Sequence, residues 1–176
     1  MRSFFEKVPI LTGERVTLKA VDMSCADGMR ELVSSVSVYQ YLPTFLFEKK
    51  YNDVGYVISL LYDECIEESL ILGVFSGGEF CGLAEMYGYR EELHKISVGY
   101  RLLERFWGKG IATEALGLMV SYLYGQTDME IITASTMVEN KASAKVLIKN
   151  GFELVVHAAD EDWGYERPTP ADKWIR

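Results

Sequence analysis

Residues 107–112 read Trp-Gly-Lys-Gly-Ile-Ala, and from Ile111 onward Ala115, Leu118, Met119 and Tyr122 recur at helical spacing. Two glycines and a lysine at the mouth of a helix suit an anion. The first helical turn presents backbone N–H groups without intrahelical partners and a partial positive charge. Gly108 and Gly110 carry no Cβ to hold a ligand away, and Lys109 adds a full charge. The chemistry this suggests is a phosphate or pyrophosphate cradle. Neither the P-loop spacing G-x-x-x-x-G-K-[ST] nor the dinucleotide spacing G-x-G-x-x-G is present, so the ligand belongs to another class. Glycines at a strand-to-helix turn also serve backbone geometry alone, and these residues by themselves leave both readings open.

A second stretch, ENKASAKVLIKNGFEL at 139–154, reads as a short helix with Asn140 as its N-cap. Ala144, Val146 and Leu147 supply its buried side, and Asn150-Gly151 stops it before the next strand. Ser143 lies one turn from Asn140 on the same face.

Strands must deliver the chain to these helices. Alternating or β-branched apolar runs predict them at 15–21, 69–76, 80–89, 95–103, 130–138 and 152–158, with a last short one near 171–176. Helical spacing also covers 22–35, with Asp22 or Ser24 as N-cap, and 52–68; the two helices of interest span 110–125 and 141–149. SGGE at 76–79 reads as a tight hairpin turn, so the middle strands pair antiparallel. The helix at 110–125 is a crossover that permits parallel neighbours. The expected fold is α/β: a mixed sheet of six or seven strands with helices on both faces.

At 176 residues and 49% apolar content the chain suits one domain, residues 1–176. It holds no apolar run of membrane-spanning length, and Glu6 and Lys7 interrupt the N-terminal apolar stretch, so no signal peptide is expected. A cytoplasmic protein is expected. A net charge of −8 disfavours nucleic acid and anionic lipid and suits a cationic partner better. Cys25, Cys65 and Cys81 are odd in number and scattered, and His94 and His157 are far apart, so neither a disulfide framework, a metal site nor a Ser/His hydrolase is expected.

The two motifs, in this order, resemble the GNAT superfamily of N-acetyltransferases. GYRLLERFWGKGIATEAL and NKASAKVLIKNGFE look most like the branch that includes ribosomal-protein alanine N-acetyltransferases and spermidine acetyltransferases, and the likeness runs from Arg15 to about Phe152. The resemblance implies a GNAT acyl-CoA N-acyltransferase fold and direct attack of a primary amine on acetyl-CoA, with no metal. It assigns the cofactor to the turn Trp107, Gly108, Lys109, Gly110, Ile111 and Ala112, to Asn140 and Ser143, and to strand amides near Leu102 and Leu103 as oxyanion donors. Two departures stand out. Trp107 occupies the first turn position, where relatives carry Gln or Arg, so backbone amides and Lys109 must hold the anion. Leu147 stands where many relatives place the tyrosine that protonates the leaving thiolate.

Direct attack needs a neutral amine, yet a lysine-type amine titrates near ~10.4 and an α-amine near ~7.7 to 8.0. Glu85, in GLAEMYGY, is the first candidate base; Glu114, in a first helical turn, favours the helix dipole instead. Ser143 is the candidate acid in place of the absent tyrosine. The resemblance places the acceptor between Val36–Phe47 and Asp160–Trp163, where Tyr39, Tyr41 and Phe45 meet Asp160, Glu161, Asp162 and Trp163. An acidic rim beside aromatic rings suits a cationic acceptor, a peptide N-terminus or a polyamine-like amine, over a neutral sugar. The alternatives are another acyl donor, a phosphate-binding domain, or a non-catalytic acyl-CoA-binding or sensor module. A homodimer is compatible with all of them.

Overall fold

The computed structural model describes residues 7–176 apart from residue 68. Residues 1–6, which include part of the segment bearing on a signal peptide, lie outside the described residues. One sheet carries eight strands in the order β1-β2-β3-β4-β5-β6-β8-β7. They are β1 (Leu11–Thr12), β2 (Val16–Lys19), β3 (Ser69–Ser76), β4 (Glu79–Arg90), β5 (Lys95–Leu102), β6 (Ile131–Met137), β7 (Glu153–Glu161) and β8 (Thr169–Ile175). The strand beyond the expected six or seven is β1, a two-residue arm on β2 that is too short to leave a periodic signal.

The helices are α1 (Ala26–Ser34), α2 (Val36–Tyr39), α3 (Val54–Leu60), α4 (Ile111–Gln126) and α5 (Lys141–Lys149). Asp22 caps a 3-10 turn that leads into α1, accepting a bond from the Ser24 amide at 2.8 Å. The helix expected over 52–68 ends at Leu60 and resumes only as a 3-10 turn at Cys65–Glu67. Asp63, Glu64 and Glu67 would crowd negative charge onto the helix C-terminus, where the macrodipole disfavours it.

The turn at Gly77–Gly78 closes the β3–β4 hairpin, and β4 pairs antiparallel with β5. α4 then crosses over so that β5 and β6 run parallel. β3 is buried along nearly all its length because helices cover both faces, which explains its continuous apolar run, SLILGVFS. α1 packs on one face, where Phe80 fills the space beside Gly28; α4 and α5 lie on the other. Leu18, Met29, Leu32, Leu72, Leu83, Met86 and Leu116 are fully buried between these layers. The three cysteines are free and buried.

One break in the sheet matters for function. β5 and β6 pair only from Lys95–Ile131 to Ser97–Thr133. Beyond that, β5 follows β4 out to Leu102 and β6 follows β8 out to Met137, so the two strands part and open a cleft.

Candidate functional site

A cavity of about 1150 Å³ occupies this cleft and joins both faces of the sheet. On the α4 side, β5 passes through a 3-10 turn (Glu104–Phe106) into the glycine turn, where Gly108 and Gly110 adopt φ of +70° and +79°. Both values lie in the left-handed region, which glycine enters without steric cost. Gly110 is the N-cap of α4 and has no side chain to bond the first-turn amides, so these stay open to an anion. Trp107, Gly108, Gly110, Ile111 and Ala112 line the cavity.

Lys109 does not. Its ammonium lies 5.6 Å from the Phe106 ring centroid and its carbonyl accepts a 3.0 Å bond from Arg15 Nη1. The lysines on the wall are Lys145 and Lys149 of α5, together with Lys50. Their signal was present in the sequence: residues 145 and 149 are spaced four apart and share a helix face. Glu114 faces away from the chemistry. Its Oε1 accepts the Arg15 and Val16 amides at 2.7 and 3.0 Å, which ties α4 to β2.

The register of β5 decides which backbone groups face the cleft. The Leu103 amide donates to the Cys81 carbonyl at 2.9 Å. Leu103 is therefore committed to the sheet and is corrected as an oxyanion donor. Antiparallel pairing alternates. Arg101, opposite Leu83, is likewise turned to β4, whereas Leu102, opposite Gly82, and Tyr100, opposite Ala84, turn their backbone groups toward the opening. Leu102 thus stays available through its amide. Its carbonyl is taken by Trp107, half-exposed at the rim, whose indole N–H donates at 2.7 Å. The Trp107 side chain thereby anchors the turn instead of meeting a phosphate.

α5 begins at the cleft because Asn140 caps it, its Oδ1 accepting the Ser143 amide at 3.2 Å. Asn140 and Ser143 both line the cavity. Tyr100, which no sequence signal singled out, donates its hydroxyl to Ser143 Oγ at 3.1 Å. Burial pushes the Tyr100 phenol up to about 12, with the Ser143 bond pulling the other way. Leu147 is buried and packs in the core.

The opposite face of β5 carries a buried ion network. Arg101 is 4% exposed, and its Nη2 donates to Glu48 Oε2 at 2.6 Å while Nε lies 2.6 Å from Glu48 Oε1. Nη1 donates to Glu85 Oε2 at 2.5 Å. Burial pulls the guanidinium pKa down, but Glu48 and Glu85 outweigh it and hold the group above its ordinary value. The trio carries two carboxylates against one guanidinium. Glu48 is 1% exposed in a 3-10 turn (Phe47–Lys49), and Tyr39 donates to its Oε1 at 2.8 Å. Burial, reinforced by Glu48, pushes the Tyr39 phenol well above its usual range. Tyr39 supports this network from behind and does not line the cavity, which corrects its expected place at the acceptor; Glu85 does line it.

The two expected acceptor segments do meet. The Thr44 amide donates to the Trp163 carbonyl at 2.9 Å and the Tyr165 hydroxyl to the Leu42 carbonyl at 2.9 Å. Tyr41, Phe45, Asp162 and the buried Trp163 line the cavity. The DEDW stretch is no uniform rim, because β7 extends to Glu161 and alternation separates the carboxylates. Asp160 is exposed and off the wall, whereas Glu161, paired with Lys173, and Asp162, which accepts the Gly164 amide at 2.9 Å, both line it. The wall also carries Asp63, Glu64 and Glu67, the carboxylates that follow α3. His94 and His157 pair with Asp128 and Asp172 away from the cleft. Among the described residues no group of three or more His, Cys, Asp or Glu could hold a metal ion, and no helix is long and apolar enough to cross a membrane.

Comparisons with known proteins agree with this geometry. A family model described as "Acetyltransferase (GNAT) domain" matches residues 15–153. The uncharacterized N-acetyltransferase YoaA of Bacillus subtilis is 23% identical over 168 residues, 93% of each chain. The [ribosomal protein uS5]-alanine N-acetyltransferase of Escherichia coli is 32% identical over 71 residues, 40% of this chain and 37% of that one. Among solved structures, the spermidine N-acetyltransferase of Vibrio cholerae, in complex with CoA and spermine, superposes with a TM-score of 0.75 at 17% identity, covering 93% of this chain and 96% of that one.

Proposed function

This chain belongs to the GNAT acetyltransferase family and is an acetyl-CoA-dependent N-acetyltransferase, and we propose that its acceptor is a cationic primary amine, a peptide N-terminus or a polyamine-like molecule. The observation that carries the acceptor class is the polarity of the cavity. Lys145 and Lys149 stand at its α5 end, while Glu85, Asp63, Glu64, Glu67, Glu161 and Asp162 stand toward the other, where they outnumber the cations Lys50 and Arg101. An anionic cofactor and a cationic acceptor would each meet opposite charge on entry. The relatives that act on a ribosomal-protein alanine and on spermidine support both halves of the acceptor class.

In this reading the pyrophosphate of acetyl-CoA sits on the open amides of α4 behind Gly108 and Gly110, and the thioester reaches the gap where β5 leaves β6. The Leu102 amide faces the developing oxyanion. The acceptor arrives as an ammonium, drawn by a buried trio with one carboxylate in excess. Arg101 holds one oxygen of Glu85, and the other takes the proton the amine must lose, directly or through water. Ser143 meets the departing sulfur.

An acceptor screen following release of free thiol from acetyl-CoA tests this directly. The panel is spermidine, a short peptide with a free α-amine, and a neutral sugar. Thiol release with the cationic amines supports the reading; release with none of them, or preference for the neutral sugar, overturns it.

A further inference from the structure

Ser143 can serve a departing sulfur only if its hydroxyl hydrogen points into the cavity, and a serine hydroxyl is a free rotor with one hydrogen and two lone pairs. On a helix the usual competitor for that hydrogen is a backbone carbonyl one turn back. Two bonds restrict the choice. Asn140 Oδ1 holds the Ser143 amide at 3.2 Å, which fixes the first turn of α5, and the Tyr100 hydroxyl donates to Ser143 Oγ at 3.1 Å. A lone pair engaged by Tyr100 directs the serine hydrogen away from the tyrosine. Among the described residues nothing accepts that hydrogen, and both side chains line the cavity.

The register of β5 explains why Tyr100 is the residue that reaches. Arg101 points to the acceptor face, so its neighbour Tyr100 points to the opposite one, toward α5. Tyr100 sits where the strand has already parted from β6, so its backbone is uncovered on that side while β4 still flanks the other. Burial keeps the phenol protonated over any ordinary working pH, so it remains a donor throughout.

We infer that Tyr100 is a positioning residue for thioester cleavage: by donating to Ser143 Oγ it aims the serine hydrogen at the departing thiolate. The inference rests on acetyl transfer taking place at this cleft. As the amine nitrogen bonds to the acetyl carbon, the carbon–sulfur bond breaks and its electron pair stays on sulfur. The amine proton leaves to Glu85 or water, and the thiolate later takes a proton from solvent. Ser143 and Tyr100 keep their protons and stabilise the sulfur charge by a two-bond chain, each bond polarising the other.

Tyr100→Phe keeps the ring and removes the donor. With acetyl-CoA its kcat should fall about tenfold, the size of one hydrogen bond strengthened in the transition state, while the Kd for acetyl-CoA stays within about twofold. An activated aryl thioacetate, whose thiolate leaves unaided, should lose less than about twofold in turnover. Ser143→Ala should show the same donor selectivity, and the double variant should fall no further than Ser143→Ala alone, because the tyrosine acts through the serine. Wild-type kcat in Tyr100→Phe, an equal fall with both donors, or multiplying effects in the double variant would overturn the inference. Absence of thiol release by the wild-type protein with any amine would overturn the acetyl-transfer reading itself, before any variant is compared.

Discussion

The wall formed by α4 and α5 takes its groups from two contiguous stretches, residues 107–112 and 140–149, and works largely through backbone amides at helix starts. The wall around Arg101 is assembled otherwise: Tyr39 and Glu48 come from the segment after α1, Glu85 from β4 and Arg101 from β5. Its groups are side-chain charges, buried and mutually dependent. A site made of local backbone geometry tolerates exchange of most side chains, whereas a buried ion network fails when any one member is lost.

The largest expected effect follows from that dependence. Replacing Arg101 by Met leaves Glu48 and Glu85 buried without their counter-charge, so stability in urea should drop by about 3–5 kcal/mol. Lys145→Ala on the exposed face of α5 should stay within about 0.5 kcal/mol. Equal small losses at both positions would erase the distinction between the walls.

Gly110→Asp probes the other wall. At φ of +79° a side chain is strained, its Cβ would meet Arg15 Nη2 at 2.8 Å, and its carboxylate would oppose the anion. At a hundred times its Kd, acetyl-CoA should stabilise the wild-type protein by about 2.7 kcal/mol, visible as a rise in Tm, and that rise should vanish in the variant. A full rise in a folded Gly110→Asp protein would remove the pyrophosphate from this turn.

The polarity of the cavity sharpens the contrast at the level of rate. Between about 20 and 300 mM salt, kcat/KM for a cationic acceptor should fall several-fold as screening shortens the reach of Asp63, Glu64, Glu67 and Asp162. Amide replacements at the three residues after α3 should flatten that dependence and leave acetyl-CoA binding intact. A salt-independent kcat/KM in the wild-type protein would end the role assigned to these charges.

Glu114 sets the smallest effect among the paired residues, since it is partly exposed and only fastens α4 to β2. Burial raises its carboxyl pKa, but the Arg15 and Val16 amides and the Arg15 guanidinium outweigh this and lower it below 4.5. A depressed folded pKa stabilises above the unfolded value, and the contribution disappears as pH falls through the folded one. Glu114→Gln should therefore cost about 0.2–1 kcal/mol near neutral pH, with the gap to wild type closing in acid as the carboxylate is protonated. A gap that widens in acid would contradict the assignment.

The legible parts of the chain share one property: their meaning is carried by neighbours in sequence. The crossover at α4, the hairpin at Gly77–Gly78, the Asn140 cap and the Gly151 stop are set within a few residues and appear as expected. Arg101, Glu48 and Tyr100 have no such signature. Arg101 in GYRLL reads as an ordinary strand residue, and Glu48 beside two lysines reads as a solvated turn, until the fold buries them together. DEDW was legible in part: Glu161, Asp162 and Trp163 line the cavity, while Asp160 does not, because adjacent residues of a strand face opposite ways.

The amino-acid order by itself determined the α/β class, the two helix starts at the cleft and the glycine turn that leaves the first amides of α4 uncapped, because helix periodicity, capping and glycine conformation act over a few residues. Tertiary structure alone decided which β5 amides open to the cleft, which carboxylates line it and which hydroxyl meets Ser143. Those outcomes depend on strand register and on where β5 leaves β6, and a shift of one residue in that register would exchange the two faces of the strand.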